Sequence, residues 1–333
     1  MVFDVLPAPV DAQALEKRYE ILNQLECQFA SQPQWHECES PAEYRKMRRE
    51  GHNGFAAPVL NPNARIIHAS ARDGHEIELR IIHPSQSQSR GVWLHFHAVP
   101  QWAQGGFVIG SNASYDPYLT VLADRLSLTM VSVEYRLAPE HKFPQQLHDC
   151  IDAAIFALSR KGENALGASL KVLGGESAGG WLAVSTALAL RRDFDIDVQS
   201  SLKAIVAGYG IYDLSYTPSL LEHKRNLVLS KEGMMRFAEA AFEDVPIENR
   251  KQPLVSPLYE NLKEMPPALF LSGDIEPLVD DSIFMAARWQ RAGNFADLKI
   301  ISGACHAFTI IRMGDATTEG LDYIVKFLET HLS

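Results

Sequence analysis

The chain has 333 residues, 46% of them hydrophobic, enough for one large α/β core with an added subdomain or for two domains. Its formal net charge is −10 and it has no basic run that could track a phosphate backbone, so no nucleic-acid partner is expected. No apolar run approaches the ~18 residues of a spanning helix, the first residues lack a signal-peptide pattern, and four cysteines without a Cys-x-x-Cys pair make no disulfide framework, so a cytoplasmic protein is expected.

Residues 12–50 read as helical and polar, in two pieces, Ala12 to Phe29 and Pro41 to Gly51. The apolar positions Leu15, Tyr19, Leu22, Leu25 and Phe29 recur at helical spacing and need a partner surface. Short strands follow at 65–68 and 77–82, with the hairpin turn Arg72-Asp73-Gly74-His75 between them. After a serine- and glutamine-rich linker, Val92 to Phe96 is a buried-type strand. Strands and helices then alternate: helix 118–126, strand 128–133, helix 143–158, strand 170–173, helix 181–190, strand 204–207. Residues 215–255 are polar and break the pattern, with helical character near 231–243. It resumes with strand 268–271, helix 282–292, strand 298–301 and helix 318–331. Alternation of this kind predicts an α/β fold with a mostly parallel sheet covered on both faces, the opening hairpin adding an antiparallel edge. The two odd segments, 12–50 and 215–255, are the expected cap.

Gly174-Gly175-Glu176-Ser177-Ala178-Gly179-Gly180 joins one of these strands to its helix. In that context Gly-x-Ser-x-Gly reads as a nucleophile elbow, a strained turn with serine at its apex. Glycines at 175 and 179 avoid clashes with the neighbouring strand and helix. An activated serine needs a base, and the base needs an orienting carboxylate. Downstream histidines are His223, His306 and His331. His306 follows the strand ending at Ile301 by a short loop, Ser302 to Cys305, at the sheet edge where open α/β sheets bind ligands, and it is the expected base. The loop from Ser272 to Asp281 offers Asp274, Glu276, Asp280 and Asp281 as the acid, and spacing does not choose among them. Asp280 and Asp281 also suit the start of the next helix. No metal or cofactor is expected: the acidic loop lacks calcium-loop spacing, and His95 and His97 have no third ligand nearby. Cys305 has no elbow and reads as a packing residue.

Several of these segments together resemble the hormone-sensitive-lipase-like (arylacetamide-deacetylase-like) family of α/β-hydrolases. They are Glu134 to His141, Phe143-Pro144 with Asp149, the elbow, Tyr212 to Ser215, Glu276-Pro277-Leu278-x-Asp280, and His306-Ala307-Phe308. The match runs from about Gly91 to the C-terminus. The resemblance implies a sheet of about eight strands under a helical cap. It divides the chain into an arm, 1–55, and a catalytic domain, 56–333, with the cap insertion at about 215–255. It implies a serine carboxylesterase working through an acyl-enzyme, with Ser177 as nucleophile, Glu276 as acid and His306 as base. Gly105, Gly106 and Ala178 would form the oxyanion hole. Trp102, Phe107, Glu176 and Tyr209 are expected at the substrate pocket. The stretch Tyr135 to His141 is expected to be structural, its arginine and carboxylates pairing within the loop.

The chain departs from the family pattern in four places. Glu276 and Glu176 stand where aspartate is usual, and Ala307 where glycine is usual. The family's His-Gly-Gly-Gly-Phe is interrupted after His97 by an insertion, Ala98 to Ala103, with Gln104 in place of the first glycine. That insertion supports an alternative reading, a hydrolase-fold protein acting as a non-hydrolytic binder, cyclase or lyase. The expected partner is a small or medium-sized ester; a homodimer is left open.

Overall fold

The computed structural model describes residues 5–52, 57–98 and 105–333. The first half of the chain forms α1 (Ala12–Ala30), α2 (Pro41–Glu50), β1 (Arg65–Ser70), β2 (Glu76–Ile82), β3 (Val92–Phe96), α3 (Asp116–Leu126), β4 (Thr129–Glu134), α4 (Gln145–Leu158) and α5 (Arg160–Leu166). Next come β5 (Leu170–Glu176), α6 (Ala178–Phe194), α7 (Val198–Ser201), β6 (Ala204–Gly208), α8 (Pro218–Glu222) and α9 (Lys231–Ala241). The chain closes with β7 (Ala268–Ile275), α10 (Val279–Arg291), β8 (Ala296–Cys305) and α11 (Asp315–Leu332).

The eight strands make one sheet in the order β1-β2-β4-β3-β5-β6-β7-β8. Strands β1, β2 and β4 pair antiparallel, and every pairing from β4 through β3 to β8 is parallel. Polarity follows position. All five residues of central β3 are buried, as a strand covered on both faces requires, whereas edge strand β1 is mostly exposed. The hairpin turn forms where expected, with Gly74 at φ +85°. Strand β8 runs farther than the sequence pattern suggests. Residues 302–305, expected as loop, continue the strand because Cys305 pairs with Ile275 beyond an irregularity at Gly273. Thus His306 leaves the strand end directly.

Helix α6 is buried from Ala178 to Leu190, which its Ala/Leu-rich sequence allows. Helix α1 lies against β8, with Leu15 and Arg18 beside Gly303, and buries Leu22, Leu25 and Phe29. Arg18, also buried, fixes it there: Nη1 donates to Ser302 O at 2.7 Å and Nε to Asp315 Oδ1 at 3.0 Å. The arm also meets the 215–255 segment. Arg225 Nη2 pairs with Glu26 Oε2 at 2.7 Å, and Trp35 stacks on Phe237 with centroids 5.3 Å apart. The loop after β4 differs from expectation in one respect. Arg136 pairs outward, with Asp149 of α4 and Asp73 of the hairpin turn, both at 2.7 Å, rather than within its own loop. Glu140 is likewise taken by Arg45 of α2.

Candidate active site

Strand β5 delivers Ser177 to the start of α6. Its φ is +57° and ψ −118°, a strained conformation for a residue with a side chain. The turn is held open by sterics and stitched by hydrogen bonds. A Cβ at Gly179 would overlap Phe96 O, and one at Gly175 would lie 2.7 Å from the Gly179 carbonyl carbon. Ser177 N donates to Gly208 O of β6 at 2.8 Å. Neither glycine can therefore be replaced without moving β3 or α6.

Three strand ends bring the reactive groups together. His306 Nε2 lies 2.9 Å from Ser177 Oγ, and His306 Nδ1 lies 2.7 Å from Glu276 Oε2. All three residues are buried. Ser272 Oγ, on β7, donates to the other carboxylate oxygen, Oε1 of Glu276. Tyr209 packs edge-on against the His306 ring, centroids 4.9 Å apart, and its hydroxyl bonds Thr309 Oγ1 at 2.7 Å. With both ring nitrogens and one ring edge engaged, the imidazole has one orientation. Chemically, this arrangement can take a proton from Ser177 and hold the resulting imidazolium against a carboxylate.

The other carboxylates of the acidic loop have different partners. Asp280 and Asp281 lie in the first turn of α10 and tie down the base of the cap. Asp280 Oδ2 accepts from Ser219 N at 2.8 Å. Asp281 accepts from the Tyr212 and Asp213 N–H groups at 2.6 and 2.8 Å, and from Thr217 Oγ1 at 2.8 Å. Burial pushes the Asp281 carboxyl up to about 7. Asp274 Oδ1 accepts from Gly303 N, joining the ends of β7 and β8.

Glu176 does not face the pocket as expected. His95 Nε2 reaches its Oε2 at 2.8 Å, and Tyr118 OH donates to its Oε1 at 2.7 Å, both in the interior behind the elbow. The extra methylene relative to aspartate supplies the reach to these two partners. Phe107 is buried in an aromatic cluster, its ring meeting Trp181 of α6 at 5.4 Å and Phe242 of the cap at 5.3 Å. Tyr209 is also wholly buried and backs the base. The loop residues Val99 to Gln104, including Trp102, lie outside the described residues. Gly105 and Gly106 are buried at the start of the next turn, where Ile109 N donates to Gly105 O at 3.0 Å.

His95 of β3 and His97 just past it serve the interior. His95 is engaged as above. His97 stacks on Tyr135, centroids 4.3 Å apart, and burial pushes its pKa down to about 3. Cys305 is buried, its Sγ 3.3 Å from Met313 Sδ, and burial pushes its thiol up to about 12, so no thiolate is available there.

Ser272 and the Phe237–Gly106 contact described below escaped sequence reading. The signal for Ser272 was the glutamate itself, whose longer side chain needs backing other than an aspartate's.

Comparison with known proteins agrees with this fold. A family model described as alpha/beta hydrolase fold matches residues 95–310. An arylesterase of Saccharolobus solfataricus is 28% identical over 250 residues, 71% of this chain and 74% of that protein. An ethyl acetate hydrolase of Pseudomonas putida is 29% identical over 273 residues, 79% of this chain and 81% of that protein. The crystal structure of a hormone-sensitive lipase from a metagenome library has the same fold, with TM-score 0.77 at 22% identity over 95% of this chain and 98% of its own. An eight-stranded sheet with this strand order, an elbow serine and a family match over more than half the chain lead to one assignment: the chain belongs to the α/β-hydrolase family.

Proposed function

We propose that the protein is a serine carboxylesterase for small or medium-sized esters. One observation carries the reading: the unbroken chain Ser177 Oγ, His306, Glu276, with contacts of 2.9 and 2.7 Å in a buried site. Relatives named arylesterase and ethyl acetate hydrolase support the reaction class and a short acyl group.

In this reading His306 Nε2 takes the Ser177 proton as Oγ attacks the ester carbonyl. The C=O π electrons move onto oxygen, and the N–H groups of Gly105, Gly106 and Ala178 receive the oxyanion. Ala178 is the first residue of α6, so its N–H has no intrahelical acceptor and the helix dipole favours negative charge beside it. Collapse of the tetrahedral intermediate breaks the C–O bond, and His306 returns the proton to the departing alkoxide. Water then attacks the acyl-enzyme through the same base, releasing acid and free serine. Glu276 remains an anion and holds the imidazolium.

The non-hydrolytic alternative is not favoured, because it leaves the assembled serine, base and acid without a role. Residues 1–55 and 215–255 together serve as the cap, supported by the Arg225–Glu26 and Trp35–Phe237 contacts. Four unpaired cysteines support a cytoplasmic location, and the charge of −10 weighs against a nucleic-acid partner. The test is Ser177→Ala, assayed with p-nitrophenyl butyrate and a labelled fluorophosphonate. Both turnover and labelling should vanish while the melting curve stays in place. Retained turnover in that variant overturns the reading.

A further inference from the structure

Gly106 carries no side chain, and Phe237 of α9 occupies the space where one would stand. A Cβ on Gly106 would overlap Phe237 Cγ and approach Phe237 Cβ to 2.7 Å. Gly106 sits at φ +57°, in the left-handed region that favours glycine. The same freedom that lets glycine adopt this conformation gives it little restraint of its own. The restraint comes from outside the loop. Phe237 is fully buried and stacks on Trp35, with planes 17° apart.

The next two loop residues are held from the same direction. Phe107 packs edge-to-face on Phe242, just past α9. Val108 O accepts from Arg45 Nε of α2 at 2.9 Å. Three consecutive residues that follow the β3 loop are thus gripped by the arm and the cap segment. These two segments are themselves joined by the Arg225–Glu26 pair and by Asn226 N donating to Glu26 Oε1 at 3.1 Å.

We propose that Phe237, backed by Trp35, is the positioning residue for the Gly106 N–H, so that seating of the arm and cap sets the competence of the oxyanion hole. This rests on the reading of Gly106 as an oxyanion donor. A donor works only when it lies within hydrogen-bond reach of the developing oxyanion, and loss of one such donor costs about 100- to 1000-fold in turnover. Removing the Phe237 ring leaves a space beside a glycine, and the glycine can turn into it. Trp35 acts at one remove, by keeping that ring in place.

The test uses the full-length chain and p-nitrophenyl butyrate, with kcat, KM and melting temperature measured for Phe237→Ala, Phe237→Leu, Trp35→Ala and the Trp35→Ala/Phe237→Ala pair. Phe237→Ala should lower kcat by roughly 10-fold or more with little change in KM, a partial loss of one donor. Trp35→Ala should lower kcat less, and Phe237→Leu should restore most of the loss. The double variant should be no slower than Phe237→Ala alone, because Trp35 acts through that ring. A folded Phe237→Ala with wild-type kcat, or a loss confined to KM, overturns the proposal. Should Phe237→Ala fail to fold, Trp35→Ala carries the test: a folded Trp35→Ala with unchanged kcat overturns it. Wild-type protein without Ser177-dependent turnover overturns the esterase reading as well, and is told apart by that control.

Discussion

Ser272 and Glu276, four residues apart on either side of the end of β7, share a hydrogen bond from hydroxyl to carboxylate Oε1. The serine fixes the longer acid so that Oε2 alone faces His306. Glu276→Gln should therefore lower kcat by roughly 10³- to 10⁴-fold, the scale known for a triad carboxylate changed to its amide. Ser272→Ala should cost about 1 kcal/mol, or roughly fivefold, as one hydrogen bond would. Asp280→Asn, at a carboxylate that accepts from Ser219 N, should cost less than Glu276→Gln. Steady-state kinetics of the three variants check this ranking, and a larger loss in Asp280→Asn would remove Glu276 from the acid position.

Turnover should rise with pH along a single limb, because His306 accepts the Ser177 proton only when neutral. A kcat/KM profile measured across about pH 5 to pH 8 tests it. A flat profile would mean that proton removal from Ser177 by this base does not limit turnover.

Stability should run the other way. Burial raises the Asp281 carboxyl to about 7, while in the unfolded chain it ionises near ~4. Between these values the folded protein holds a proton that the unfolded chain has released, so stability falls as pH rises through the window. Asp281→Asn keeps an acceptor for the Tyr212 and Asp213 N–H groups and removes one titration. Its melting temperature should fall less between about pH 5 and pH 8 than that of the wild type. Parallel curves for the two proteins would show that Asp281 does not titrate there.

Soluble butyrate and acetate esters should be turned over faster than emulsified long-chain triglycerides. In the 215–255 segment the exposed large apolar side chains are Leu221, Ile247 and Leu254, well separated along the chain, while Leu227, Val228, Leu229 and Phe237 are buried. An interfacial surface needs a contiguous apolar face. Competitive assays with the two substrate types decide it, and a preference for the emulsion contradicts this reading.

All eight strands, the elbow and the Ser177–His306 pairing were legible in the sequence, because each rests on local pattern: apolar runs, glycine spacing and position relative to a strand. Residues 302–305 were misread because a strand end extended by pairing across an irregularity leaves no local period. Glu176 was placed at the pocket because adjacency to the nucleophile was the available clue. Its true partners, His95 and Tyr118, are 81 and 58 residues away. Ala307 looked like a mild departure, yet its φ is +63°, the conformation for which glycine is preferred. Ala307→Gly should relieve that strain; the sequence marked the position without showing its cost.

Arg18 binds Ser302 and Asp315, which lie 284 and 297 residues farther along the chain. A ribosome therefore delivers the arm well before its anchor. Until α11 has emerged, α1 has no complete seat, Trp35 has no fixed place against Phe237, and the cap stays unlatched. Onset of ester turnover on a growing chain would thus mark the emergence of α11.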